Sequence, residues 1–126
     1  MMDRIEEFSR DGKNFIYIDY CGLASVEDLV ELIRRAQKVI AEYPESSVYT
    51  ISNIANFRID SRIKEIFTNF MEFNKRYVKY GVIIGIDGIK KIMTQVLMKK
   101  TNRMNINFAF TKEGAIGLIL QQEQGK

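Results

Sequence analysis

The sequence has no histidine and no tryptophan, one cysteine and one proline. Without histidine there is no Ser-His-Asp triad, no Cys-His pair and no HExxH zinc site, and the side chain that ordinarily titrates near neutrality is missing. Cys21 alone cannot close an internal disulfide, so nothing points to an oxidising compartment. One proline and eight glycines exclude a collagen-like or Pro/Gly-rich disordered chain. Apolar runs such as Val82-Ile83-Ile84 and Leu118-Ile119-Leu120 fall far short of the ~18 to 20 residues that cross a bilayer. The opening Met1-Met2-Asp3-Arg4-Ile5-Glu6-Glu7 is too acidic and polar for a signal peptide, and a cytoplasmic protein without a membrane span is the expectation.

What is present suits one packed domain over residues 1–126, because 46% apolar and 28% charged residues are the proportions of a globular chain. Short β-branched or aromatic runs alternate with longer segments of helical apolar spacing, which predicts an α/β fold. Residues 4–9 and 14–20 flank Asp11-Gly12, a dipeptide that tolerates the positive φ angles of a tight turn, and read as an antiparallel hairpin. In its second strand Phe15, Tyr17 and Asp19 face one way and Ile16, Ile18 and Tyr20 the other.

Leu29, Leu32, Ile33, Ala36, Val39, Ile40 and Tyr43 line one face of a first helix. Ser25 and Asp28 form an approximate capping box at its start, and Pro44 ends it. A strand over 48–54 follows, then a helix capped by Asp60 with a buried stripe of Ile63, Ile66, Phe67, Phe70, Asn74 and Tyr77. The run Val82 to Ile86 is nearly all apolar, as a strand covered on both faces requires. Asp87-Gly88 opens a third helix with Ile89, Ile92, Met93, Val96 and Leu97 on one face. A strand over 106–110 and a helix over 112–122 complete the order ββαβαβαβα, a mostly parallel sheet with an N-terminal antiparallel hairpin and four helices. The last helix is apolar on more than one side between Ala115 and Leu120, which makes it a candidate for burial against a second copy, hence a homodimer.

Charge is uneven. Residues 1–59 hold seven Lys/Arg against ten Asp/Glu, and residues 60–126 hold twelve against six, so the halves carry −3 and +6. The basic residues fall mostly on predicted solvent faces, and aromatics do not interleave with them as a single-strand platform requires, so no nucleic acid partner is expected.

Two stretches carry a family resemblance. Residues 73–86, FNKRYVKYGVIIGI, followed by DGIKKIM and NRMNINFAFTKEGAIGLIL, resemble the C-terminal half of SpoIIAA-like proteins, also described as STAS-like or STAS/CRAL-TRIO-like domains. Phe110-Thr111-Lys112-Glu113-Gly114-Ala115 and Leu118 follow that family's T-x-E-x-A-x-x-L closing helix, and YxDYxG with its capped helix fits the first half. The resemblance implies the fold of bacterial anti-anti-sigma regulators, non-enzymatic domains that bind protein partners, and of CRAL-TRIO carriers of small apolar or lipid-like ligands. In the regulators an Asp-Ser-Ser-Gly motif opens a helix, and its second Ser is phosphorylated by a partner kinase. Here Asp60 and Ser61 match the first two letters, whereas Arg62 stands at the acceptor and Ile63 at the glycine, so the implied phosphoswitch motif is degenerate. Asn56, Arg58, Asp60, Ser61 and Arg62 become the partner-binding residues that the resemblance implies.

Other candidates come from the residues themselves. Ser61 phosphate would meet the free amides of a first helical turn near Arg58 and Arg62, although Asp-Ser is also an ordinary helix start. Gly85 and Gly88, at a strand-to-helix junction with Lys91, form a candidate anion site, or else let strand and helix pack closely. Asp19 has no second acid or nucleophile around it, Cys21 has no activating cation, and Met71, Met93, Met98 and Met104 read as adaptable core filler. No cofactor and no metal site is expected. Buried Asn74 needs partners, and a helix-end hydrogen bond is the expectation.

Overall fold

The computed structural model describes residues 3–102 and 105–124, the side chains of Ile89, Lys90 and Met93 excepted. Expectations for those three side chains, and for Arg103 and Met104, therefore lie outside the described residues. Its elements are β1 (Ile5–Arg10), β2 (Lys13–Asp19), α1 (Val26–Ile40), β3 (Val48–Asn53), α2 (Ser61–Asn74), β4 (Val78–Ile84), α3 (Gly88–Lys100), β5 (Ile106–Phe108) and α4 (Lys112–Gln124). The strands form a mixed sheet in the order β1-β2-β3-β4-β5, antiparallel between β1 and β2 and parallel elsewhere.

Local chemistry explains the first half well. Asp11 and Gly12 both take positive φ, 55° and 75°, so a two-residue turn of the kind that matches strand twist closes Arg10 against Lys13. Ser25 accepts a hydrogen bond from the Asp28 amide at 3.1 Å, which satisfies one of the amides that every helix start leaves without an intrahelical partner. Helix α1 ends at Ile40, before Pro44 acts. The amides of Glu42 and Tyr43 turn back to Val39 and Ile40, so Tyr43 lies past the helix, where its hydroxyl donates to Glu7 at 2.7 Å. That bond to a carboxylate is the main reason the Tyr43 pKa is pushed up to about 12.

The period of β2 divides the core. Ile16, Ile18 and Tyr20 pack with α1 and α2, while Phe15 packs with Tyr49, Ile51, Val82, Ile84 and the α4 residues Ala115, Ile116 and Ile119. Each fully buried side chain of this size contributes about 1.5–3 kcal/mol. The crossover helices α1, α2 and α3 follow successive strands and share the first face; α4 covers the other. Helix α4 thus packs Ala115, Ile116 and Ile119 on its own sheet, with Leu118 and Leu120 half-buried. Its far end is fastened as well. The Tyr49 hydroxyl donates to the Glu123 carboxylate at 2.7 Å, and Lys79 Nζ lies 3.4 Å from the other oxygen. Burial, and then this carboxylate, raise the Tyr49 pKa.

Three sequence expectations are corrected. The α2 stripe does not reach Tyr77, because the helix stops at Asn74 and the Tyr77 amide turns back to the Asn74 main-chain carbonyl at 3.0 Å. Strand β4 begins at Val78 and ends at Ile84, since Gly85 takes a φ of +74° and leaves Ile86 in a loop; likewise β5 stops at Phe108, short of Phe110. Among the described residues of this segment, Thr94, Leu97 and Met98 of α3 and Thr101 just past its end are buried, whereas Ile92 and Val96 are 64% and 52% exposed. Two threonines can occupy the buried side because a hydroxyl can bond back into its own helix, as Thr101 does to the Leu97 carbonyl at 2.7 Å. Of the described residues in the expected stripe, Leu97 is buried as the spacing predicts, and Ile92 and Val96 are not.

Candidate functional site

Parallel strands β2 to β5 all end on one side of the sheet, where loops into helices can place side chains on a rigid base. The β2–α1 loop is pinned there by Arg4, whose Nη1 donates to the carbonyls of Asp19 and Cys21 at 3.1 and 2.7 Å. Asp19 turns its carboxylate to the Cys21 amide at 2.9 Å, so this strand-end acid shapes a turn. Half-buried Cys21 faces the Asn56 amide, with Nδ2 to Sγ at 3.9 Å.

The neighbouring β3–α2 loop, residues 54–60, is the best-anchored part of this end. Asn53 uses its whole amide, Oδ1 accepting from the Ala55 amide at 3.0 Å and Nδ2 donating to the Tyr17 hydroxyl at 3.1 Å. The Ile54 amide reaches Ile84 at 3.0 Å, and the Asn56 carbonyl receives the Gly22 amide at 3.1 Å. Asn56 itself takes a φ of +52°, one of the few places where a non-glycine residue does so. Phe57 then drives inward and is 3% exposed, its ring 5.9 Å from Tyr20 and 5.8 Å from Phe67. Asp60 caps α2 by accepting from the Ile63 amide at 3.0 Å, as its position predicts.

Between these anchors every expected partner-binding side chain is exposed: Asn56, Arg58, Asp60, Ser61 and Arg62. Ser61 is the first residue of α2, and the capping is done by Asp60. Arg62 also borders a groove of about 340 Å³ whose other lining includes Glu27, Val30 and Glu31 of α1. The surface thus presents two guanidiniums and small polar groups on a firmly held backbone. That equipment suits recognition of a carboxylate or phosphate by forked hydrogen bonds. Among the described residues, no group of three or more Cys, Asp or Glu converges as a metal cage.

Gly85, Gly88 and Lys91 do come together. They line a crevice of about 430 Å³ between the β4–α3 and β5–α4 loops, with Phe108 and Phe110 opposite. Lys91 turns its ammonium over the Phe108 ring, 5.2 Å from the centroid, which gives that cation an aromatic partner. The two glycines differ in role. A Cβ on Gly88 would meet open space, while one on Gly85 would lie 2.6 Å from the Ala55 nitrogen. Close packing therefore explains Gly85, and it makes the two candidate loops neighbours.

A separate cavity of about 80 Å³ lies under α2 and α3, lined by apolar side chains including Met71 and by the polar residues Tyr20, Thr50, Ser52, Asn74 and Thr94. Tyr20 is wholly enclosed, and burial raises its pKa against the opposing effect of a hydrogen bond with Ser52. The sequence reading missed Asn53 and Phe57 as anchors of the exposed loop, and missed the fully exposed Phe110. A lone aromatic in the loop between β3 and the Asp60 cap, four residues past the strand, offered a signal for Phe57; Asn53 offered only its local bond to Ala55 two residues on, since Tyr17 comes from a neighbouring strand. Comparison with protein-family models, with curated proteins and with solved structures gives no significant match.

Proposed function

We propose that this chain is a non-enzymatic docking domain of the SpoIIAA-like kind, whose partner-binding surface is the β3–α2 junction. The observation that carries this reading is the pairing of an immobilised backbone with an outward polar face: Phe57, Asn53 and Asp60 fix residues 54–63, and Arg58, Ser61 and Arg62 project from them. A partner offering an acidic segment fits that face, since each guanidinium can grip a carboxylate at two points. The order of elements and the mixed sheet accord with the fold that the resemblance implies.

Affinity capture with the whole chain tests it. A protein retained from lysate by the wild type and lost to an Arg58→Glu, Arg62→Glu double variant, itself folded by circular dichroism, is the expected result. Retention of the same proteins by both chains would remove the junction as the docking surface.

A second reading, a carrier of a small apolar molecule, has the cavity under α2 and α3 in its favour, whose volume of about 80 Å³ sets the cargo at a few heavy atoms. Native mass spectrometry of freshly purified protein then shows an added mass, and Thr50→Leu, which fills the lining, abolishes it. A chain that flies at its sequence mass alone refutes the carrier.

A further inference from the structure

We propose that α3, together with Phe110, docks on an anionic lipid bilayer surface. The helix has two unlike apolar sides. Thr94, Leu97 and Met98 point into the fold, and the opposite side presents Ile92 and Val96 in successive turns, 64% and 52% exposed, with Lys99 in line with them. Lys91 and Lys100, both exposed, stand to either side of this outward stripe. Phe110, fully exposed, projects from the β5–α4 loop across the crevice from Lys91. Isolated exposed apolar residues are ordinary, but Ile92 and Val96 share one helix face, and Phe110 stands fully exposed across the crevice that Lys91 lines.

Charge selects the occupant. From Gly88 to Lys100 there are four lysines and no acid, and the nearest acid is Asp87 at the helix start. A helix of this make-up has the apolar face and cationic flanks that settle into the boundary between lipid headgroups and acyl chains. Lysine is the only cation used in the helix, and its compact, flexible charge suits a diffuse layer of phosphates better than forked recognition of a single carboxylate. A second copy of the chain is the alternative occupant, and the oligomeric state distinguishes it from a bilayer.

Vesicle co-sedimentation with the full chain provides the test. Partition onto phosphatidylcholine vesicles containing about a third phosphatidylglycerol is expected to exceed that onto pure phosphatidylcholine by about tenfold, and to fall by a similar factor in half-molar salt. An Ile92→Glu, Val96→Glu variant keeps its thermal melt, because both side chains face solvent, and loses about tenfold in partition. The absence of tryptophan gives a second readout: in Ile92→Trp the new indole is the sole one, and its emission shifts to the blue on anionic vesicles. Equal partition of wild type and the double glutamate variant would overturn the proposal, as would an unshifted indole on sedimented vesicles. Light scattering that reports a dimer for the wild type and a monomer for the double variant would assign the face to a second copy and overturn it too.

Discussion

Gly85→Ala is expected to lower the stability of the fold by about 3 kcal/mol or more, which for a chain of this size moves the melting temperature by about 10 °C. The φ of +74° costs an alanine about 1 kcal/mol before any contact is considered. The new Cβ would also lie 2.6 Å from the Ala55 nitrogen and 2.7 Å from Asn53 Oδ1. Neither neighbour can yield cheaply. Those two atoms are bonded to each other at 3.0 Å, and the Ile54 amide between them is tied to Ile84 at 3.0 Å. Relief would need the β3–α2 loop to lift away from β4. Gly88→Ala is the control, because a Cβ there meets open space at a helix start and its expected effect is within about half a kcal/mol. Urea unfolding of both variants measures the difference, and a loss below about 1 kcal/mol for Gly85→Ala would contradict the close approach.

That contrast also marks how far the sequence could be read. Both glycines stand at one strand-to-helix junction with the same lysine nearby, and residue type alone gave them one shared role. What separates them is Asn53 and Ala55, more than twenty-five residues earlier in the chain and adjacent through the pairing of β3 with β4. Features written in neighbouring residues were legible: the Asp11-Gly12 turn, the caps at Ser25 and Asp60, and the alternation of β2 that sends Phe15 and Ile16 to opposite faces. In helix α3, Ile92 and Val96 depart from the expected buried face for a different reason. Period analysis counts threonine as polar, yet Thr101 satisfies its own hydroxyl within the helix and can be buried. The apolar face expected for this helix includes Ile92 and Val96, which the fold leaves exposed. Such a conflict between pattern and packing is the usual sign of a surface kept for something other than the core.

The candidate site divides along the same line. Its exposed residues, Asn56, Arg58, Asp60, Ser61 and Arg62, were named through the family resemblance, and of these only the Asp60 cap was legible as a local pattern. What holds them still is not local. Phe57 sits in the middle of an irregular segment, and its burial depends on Tyr20 at the end of β2 and Phe67 one and a half turns into α2. No periodicity marks a residue of that kind.

Phe57→Ala is accordingly expected to cost about 3–5 kcal/mol, the loss of a buried ring plus the cavity it leaves. Two aromatic contacts go with it, at centroid distances of 5.9 and 5.8 Å. The consequence extends to binding. Asn56 holds a φ of +52°, a conformation that a non-glycine residue keeps when its surroundings enforce it, and the ring beside it supplies part of that enforcement. With the ring gone the loop samples other conformations, so Arg58 and Arg62 remain in the chain but lose their fixed spacing. Partner capture should therefore weaken in Phe57→Ala under conditions where circular dichroism still reports the native fold. Phe57→Leu keeps most of the buried volume, costs about 1 kcal/mol and retains capture, which separates loss of the anchor from loss of the domain. A folded Phe57→Ala chain that captures the partner as well as the wild type would show that the exposed side chains do not depend on the buried one.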